Sequence, residues 1–330
     1  MLLQGVGWNF KALPDYVVRM RIVDSDGELR TFSRADDNDM FNAVATNLGL
    51  FGVIFDMTFD LFDELTAKAE NEFHHKAGDL FYNPEYLKKI VESNDSVEVF
   101  WWPFNSCKWT DALEQLAGFI GIKSKLTRDE WDPKEDETWV KLVNIKEPGT
   151  FDPKHIVDKD YYQFLNARTW AESAAIQGFD DFVLNFPDEL TPIFGKSSFK
   201  FLKEANKETL LQPMPHAVHY RPNIAMFSVH DMEFCFNCVH DFSVITRACQ
   251  DVIEIVQDYA EKGDFPLNIA MEMRWMADSD AYLCPAFVGR FSDVPLVTEK
   301  SRQVQTAPGM FFLILPHVYT HYQVNVHKVI

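Results

Sequence analysis

The segment Asp24-Ser-Asp-Gly27 constrains this chain more than any other. It sits between two β-rich runs, residues 16–23 and 28–32. An Asp-Gly turn between such runs specifies an antiparallel hairpin, because the glycine takes the positive φ that a tight turn demands. Period-two alternation puts Val18, Met20 and Ile22 on one face, with Arg19 and Arg21 on the other. The chain therefore opens with antiparallel sheet. Its supply of 29 Phe, 8 Trp and 10 Tyr in 330 residues is ample for a sizeable core.

The pattern then changes to a short helix over residues 39–47, with Met40, Ala43, Val44 and Asn47 at helical spacing. Asp36, Asp37 and Asp39 gather at its N-terminal end, where the helix dipole favours negative charge. Residues 48–61 read as a two-glycine turn, Gly49 and Gly52, running into a long strand. Past residue 65, acidic and aromatic segments alternate. Residues 84–92 form a helix capped by Asn83, and residues 96–104 form a strand stopped by Pro103. Residues 127–137 read as a solvated, charged loop. Residues 232–239 read as a strand, 244–259 as the strongest amphipathic helix, ended by Gly263, and 266–276 as a further strand. The class is α+β.

Charge and cysteine narrow the function. Lys+Arg 31 against Asp+Glu 50 gives a net charge of −19, which repels phosphate backbones and excludes broad nucleic-acid binding. Residues 310–315 are the longest apolar run near the C-terminus, far below the ~20 residues of a membrane helix. No basic-then-apolar leader is read at the start of the sequence. Five irregularly spaced cysteines do not make a disulfide framework, which favours a reducing, intracellular setting. Cys235-Phe-Asn-Cys238 has metal or redox spacing but no second pair, so the cysteines read as small apolar residues and no metal site is expected. His74 and His75 read as a solvated pair. Of Trp101 and Trp102, adjacent on a strand, at most one can line a given pocket, and core packing is the simpler role.

Glu272-Met-Arg274 carries the most chemistry. Two residues apart on a strand, Glu272 and Arg274 leave the same face, while Met271, Met273 and Trp275 leave the other. Charges on so apolar a strand need partners. They form either a functional pair or a structural ion pair.

Gln4-Gly-Val-Gly7, residues 10–17, the Asp-Gly hairpin and Leu48-Gly-Leu-Phe-Gly-Val-Ile54 come in an order that resembles the sugar-1,4-lactone (aldonolactone) oxidases. These are flavoproteins of the vanillyl-alcohol-oxidase superfamily. Segments 97–103 and 269–285 resemble strands of that family's substrate domain. The resemblance implies the C-terminal part of a PCMH-type FAD-binding domain over residues 1–66. A substrate (cap) domain with a large antiparallel sheet flanked by helices would then occupy residues 67–330. It also implies FAD as cofactor, with Gly5, Gly7, Gly49, Gly52, Val53 and Ile54 beside it. Alternatively these glycines only shape turns. Glu272 would orient or help deprotonate a substrate hydroxyl, and Arg274 would stabilise negative charge on the reduced flavin. Lys328 stands where the family's C-terminal lysine reaches the active site.

The family's His-Gly-Thr-Gly turn reads Gln-Gly-Val-Gly here, and its first FAD subdomain has no counterpart in this sequence. The implied reaction is oxidation of a sugar lactone by oxygen to an ascorbate-type product and peroxide, with peripheral membrane association common in the family. Two other readings stand beside it. One is a non-catalytic remnant acting as an interaction module, which predicts exposed apolar surface. The other is a related flavin oxidase of an alditol or a sterol.

Overall fold

The computed structural model describes residues 10–61, 63, 65–108, 126–127, 129–152, 191–214, 217, 230–238, 241–265, 267, 270–284, 286–287 and 310–317. The chain divides into two compact units. One comprises Met1–Glu64, Cys235–Asp241 and Arg274–Phe311, and the other Leu65–Phe234, Phe242–Met273 and Phe312–Ile330.

The first unit is built on the hairpin. Strands β1 (Val17–Val23), β2 (Leu29–Ser33) and β3 (Val53–Phe59) form an antiparallel sheet in the order β2-β1-β3. Gly27 takes φ +79°, and Asp24 Oδ1 accepts from the amides of Asp26 and Glu28 at 3.0 Å each. Arg30 pairs with Asp24 and holds its carboxyl below the ordinary range. Met20 and Ile22 are buried as expected, but Val17 is buried rather than Val18. The register shifts between Val17 and Arg19 and makes Val18 an extra residue, which turns its side chain away from the interior.

Helix α1 (Asn38–Val44) is capped by Asp37, whose side chain accepts from Met40 N at 3.0 Å. Its inward face is Phe41 and Val44, and Met40 is 45% exposed, against expectation. The Arg34 guanidinium lies 5.0 Å above the Phe41 ring and reaches the carbonyl of Val17. That contact selects the Phe41 face. Residues 277–282 dock on the same unit: Ala277 N donates to Phe10 O, and Tyr282 N to Asn42 O, both at 3.0 Å.

The second unit holds α2 (Ala77–Phe81), α3 (Pro84–Glu92), α4 (Thr191–Ala205) and α5 (Ser243–Ala260). A seven-stranded sheet is drawn from β4 (Thr66–Glu72), β5 (Ser96–Trp101), β6 (Thr138–Lys146) and β7 (Leu210–Pro213) of this unit and from β8 (His230–Asn237), β9 (Met271–Met276) and β10 (Met310–His317), each of which has residues in both units. The order is β7-β4-β6-β5-β9-β10-β8, with β4 antiparallel to β6 and β7, and β5 antiparallel to β6. Asn83 caps α3 by accepting from Tyr86 N at 3.1 Å. Gly263 ends α5 at φ +85°.

One sheet face is the helix side. Phe81 meets Trp101 edge-on at 6.5 Å, Gln250 of α5 donates to Phe81 O at 2.7 Å, and Cys249 Sγ lies 3.3 Å from Met273 Sδ. Trp101 is fully buried there, so its core role holds. The opposite face carries stacked Phe100 and Trp139 at 4.7 Å, with Phe73, Ala270 and Phe199 of α4 packed around them and Trp102 at the margin.

Residues 127–137 are not a solvated loop. Trp131, Pro133 and Asp136 are buried, and Asp136 is 0% exposed. Its carboxyl accepts from Trp101 Nε1 at 3.0 Å, Trp131 Nε1 at 3.1 and 3.2 Å, Phe104 N at 3.2 Å, Ser106 N at 2.8 Å and Ser106 Oγ at 2.6 Å. Five neutral donors thus gather a loop, a strand end and two indoles on one carboxyl. A count of charges along the sequence has no way to register that arrangement. Burial pushes this carboxyl up to about 7, against the pull of the donors.

Candidate functional site

Glu272 and Arg274 lie on β9, an interior strand between β5 and β10. Both are half-buried, while Met271, Met273 and Trp275 between and beside them are buried. The alternation read from the sequence is therefore the alternation of the strand. Met273 meets α5 on the helix side, and Ala270 packs among Phe100, Trp139 and Phe199 on the opposite side. Period two then places Glu272 on the aromatic face, and Arg274 leaves the strand in the same direction.

That face holds a second charged pair. Lys141 Nζ and Glu98 Oε2 are 2.7 Å apart across β6 and β5, with side chains only 10% and 16% exposed. Trp139 Nε1 donates to Asn71 Oδ1 at 2.8 Å, and Lys203 of α4 pairs with Glu137 at 2.6 Å. An ion pair this dry is costly to assemble and destructive to break on one side only. Sequence reasoning passed over Glu98 and Lys141. The signal was present, since each is a lone charge within an apolar strand, the property that drew notice to Glu272 and Arg274. The rings themselves are core, closed over by Phe199 of α4.

In the first unit, Gly49 and Gly52 shape the turn into β3. Gly49 takes φ +84° and has nothing within 4 Å of where a Cβ would stand. Gly52 takes φ +124°, and a Cβ there would lie 2.1 Å from Val23 O. Gly52 is thus demanded by the close approach of β1, which is the turn-shaping role, whereas Gly49 leaves open space over its backbone. Val53 and Ile54 follow on β3, an edge strand of its sheet, with Val53 73% exposed. Phe55 is an extra residue at the second register shift, and it projects outward with Leu48, Leu50 and Leu61. An open glycine backbone beside an exposed strand edge fits a flat dinucleotide approaching main-chain groups. The residues present are therefore compatible with FAD at this place.

Gly5, Gly7 and Lys328 lie outside the described residues. Cys107, Cys238, Cys249 and Cys284 are buried free thiols, and burial pushes the Cys238 thiol up to about 12, so it behaves as a small apolar residue. His75 is buried rather than solvated, which corrects the sequence expectation for the His74-His75 pair. Among the described residues no helix is long and apolar enough to cross a membrane.

No family model matches the chain. Solved structures do. A solvent-stable cholesterol oxidase superposes with a TM-score of 0.63 at 15% identity, over 99% of this chain and 56% of its own. The cholesterol oxidase from B. sterolicum gives 0.55 at 16% identity, over 96% of this chain and 54% of its own. The chain thus spans a little over half the length of these oxidases and shares their fold. The fold class is α+β, with antiparallel sheets flanked by helices as expected, and it is the fold of these two oxidases over the part they share.

Proposed function

We propose that this chain is the substrate-domain-bearing part of an FAD-dependent oxidase that removes hydrogen from a carbon bearing a hydroxyl group, with a sugar-1,4-lactone as substrate. The observation that carries the reading is the Glu272–Arg274 pair, half-buried on an interior strand of a fold shared with alcohol-oxidising enzymes.

FAD, when bound, would supply the acceptor for one hydride, which carries both electrons of the carbon–hydrogen bond. Around Gly49, Gly52, Val53 and Ile54 the chain offers main-chain groups on an open edge, and Gly5 and Gly7 belong to the same proposal. Glu272 Oε orients the substrate hydroxyl and takes its proton as the carbon–hydrogen bond breaks. Arg274 holds a positive charge on the same strand face, where negative charge develops in the transition state. Lys328 is assigned to the active site by resemblance alone. The buried Phe73–Phe100–Trp139 cluster and the Lys141–Glu98 pair hold rigid the sheet face from which Glu272 projects. The half-buried charges of Glu272 and Arg274 favour a hydroxyl-rich lactone. The overall likeness to cholesterol oxidases favours a sterol, which is the second reading. The exposed apolar group of Leu48, Leu50, Val53, Phe55 and Leu61 is the surface on which the remainder of such an enzyme packs. The proposal includes oxygen as the acceptor and peripheral attachment to a membrane through residues beyond these.

The test is a titration of FAD into the purified chain, read by visible absorbance. Peroxide release with D-arabinono-, L-gulono- and L-galactono-1,4-lactone is then compared with that on cholesterol and on an alditol. Flavin uptake with lactone-dependent peroxide is the expected result. Flavin uptake with turnover of the sterol alone overturns the lactone assignment. A colourless protein overturns the claim that this chain oxidises anything by itself.

A further inference from the structure

We infer that Glu72, His74 and His75 form a divalent transition-metal site at the end of β4, independent of any flavin chemistry. One ligand atom from each of the three lies within 4.8 Å of those of the other two. The two imidazole rings sit side by side, with centroids 4.0 Å apart, and His75 Nε2 is 2.6 Å from Glu72 Oε2. Two histidines and a carboxylate are the donor set of a borderline ion such as Zn²⁺. A tetrahedral ion with bonds of about 2.0–2.1 Å holds its ligand atoms roughly 3.3 Å apart. Glu72 and His75 are already closer than that. The ion takes the place of the proton shared between them, and that proton leaves to solvent. His74 is exposed, so its ring is free to close the remaining gap.

Two further features suit a bound cation. His75 is buried, and its other nitrogen, Nδ1, lies 3.0 Å from the Tyr86 hydroxyl of α3. Once an ion displaces the proton between Nε2 and Glu72, Nδ1–H donates to the Tyr86 hydroxyl and the Nε2 lone pair faces the metal, the arrangement that outer-shell partners of metal-bound histidines support. The surroundings are also acidic. Glu72 is itself one of the three, and the neighbouring Lys76 ammonium is engaged by Glu135. With three protein ligands on one side, the fourth position faces solvent and takes water or a small anion. Bound metal would tie the end of β4 to α3 through Tyr86.

The experiment is calorimetric titration of zinc chloride into the full chain at neutral pH, alongside His74→Ala and Tyr86→Phe. Cobalt(II) absorbance serves as a second readout. His74 is exposed, so His74→Ala keeps the fold, which an unchanged metal-free melting curve verifies. The expected result is one tight equivalent in the parent chain, with the visible bands of tetrahedral cobalt. Affinity falls at least fivefold in His74→Ala, with loss of those bands, and about tenfold in Tyr86→Phe. Absence of a tight equivalent in the parent overturns the site. So does a loss smaller than fivefold in His74→Ala, because the ion is then held elsewhere.

Discussion

Substituting Asp136 tests the buried carboxyl cage most directly. Oδ1 accepts from Ser106 N, Ser106 Oγ and Trp131, and Oδ2 from Trp101, Phe104 N and Trp131. In Asp136→Asn the amide nitrogen does least harm in place of Oδ1, where it donates to Ser106 Oγ. Trp131 keeps its bond to the remaining oxygen, and only Ser106 N is orphaned. One buried donor without an acceptor costs about 1–3 kcal/mol. In Asp136→Ala four N–H donors lose their acceptor together and a cavity opens, so the cost is about 4 kcal/mol or more.

The pH dependence has a definite sign. Burial raises the native carboxyl from 3.8 to about 7, so between these values the native state keeps a proton that the unfolded chain has released. Stability contributed by this group is therefore lost as pH rises through that window, and the loss levels off above about 7. Urea denaturation followed by tryptophan fluorescence reads both effects, since Trp101 and Trp131 are themselves ligands of the carboxyl. The Asn variant should lack the parent's downward slope between pH 4 and 7. An Ala variant within about 1 kcal/mol of the parent would refute the reasoning, because that is less than a single orphaned donor costs.

Three further outcomes are expected. Gly52→Ala places a Cβ against Val23 O at a strongly positive φ and should cost about 3 kcal/mol or more. Gly49→Ala meets only the φ penalty, about 1–2 kcal/mol, and hydrogen exchange of β1 and β3 amides separates the two. Paired Val53→Thr and Phe55→Ser should reduce self-association in sedimentation velocity, since both residues lie exposed on an edge strand; unchanged association places the sticky surface elsewhere. With flavin bound, Glu272→Gln and Arg274→Ala should each lower peroxide production about a hundredfold with an unchanged melting temperature. A variant that instead unfolds identifies the pair as structural.

What the sequence determined by itself was local. The Asp24–Gly27 hairpin, the Asn83 cap of α3, the amphipathic stripe of α5 and the opposed faces of β9 follow from turn chemistry, capping and periodicity, which act within a few residues. The charged pair on β9 was legible for the same reason. What tertiary structure decided was which charges and which faces go inside. Asp136 is buried because donors about 30 residues away in sequence converge on it, and nothing within residues 127–137 announces them. Phe41 displaces Met40 from the inner face of α1 because Arg34 covers its ring. His75 turns inward because the carboxylate of Glu72 and the hydroxyl of Tyr86 satisfy both of its nitrogens. Lys141 and Glu98 become a dry pair only when β5 and β6 come into register. Hydrogen bonds and ion pairs formed across the fold outweigh local hydropathy, because leaving a buried polar group without its partner costs more than one apolar side chain gains.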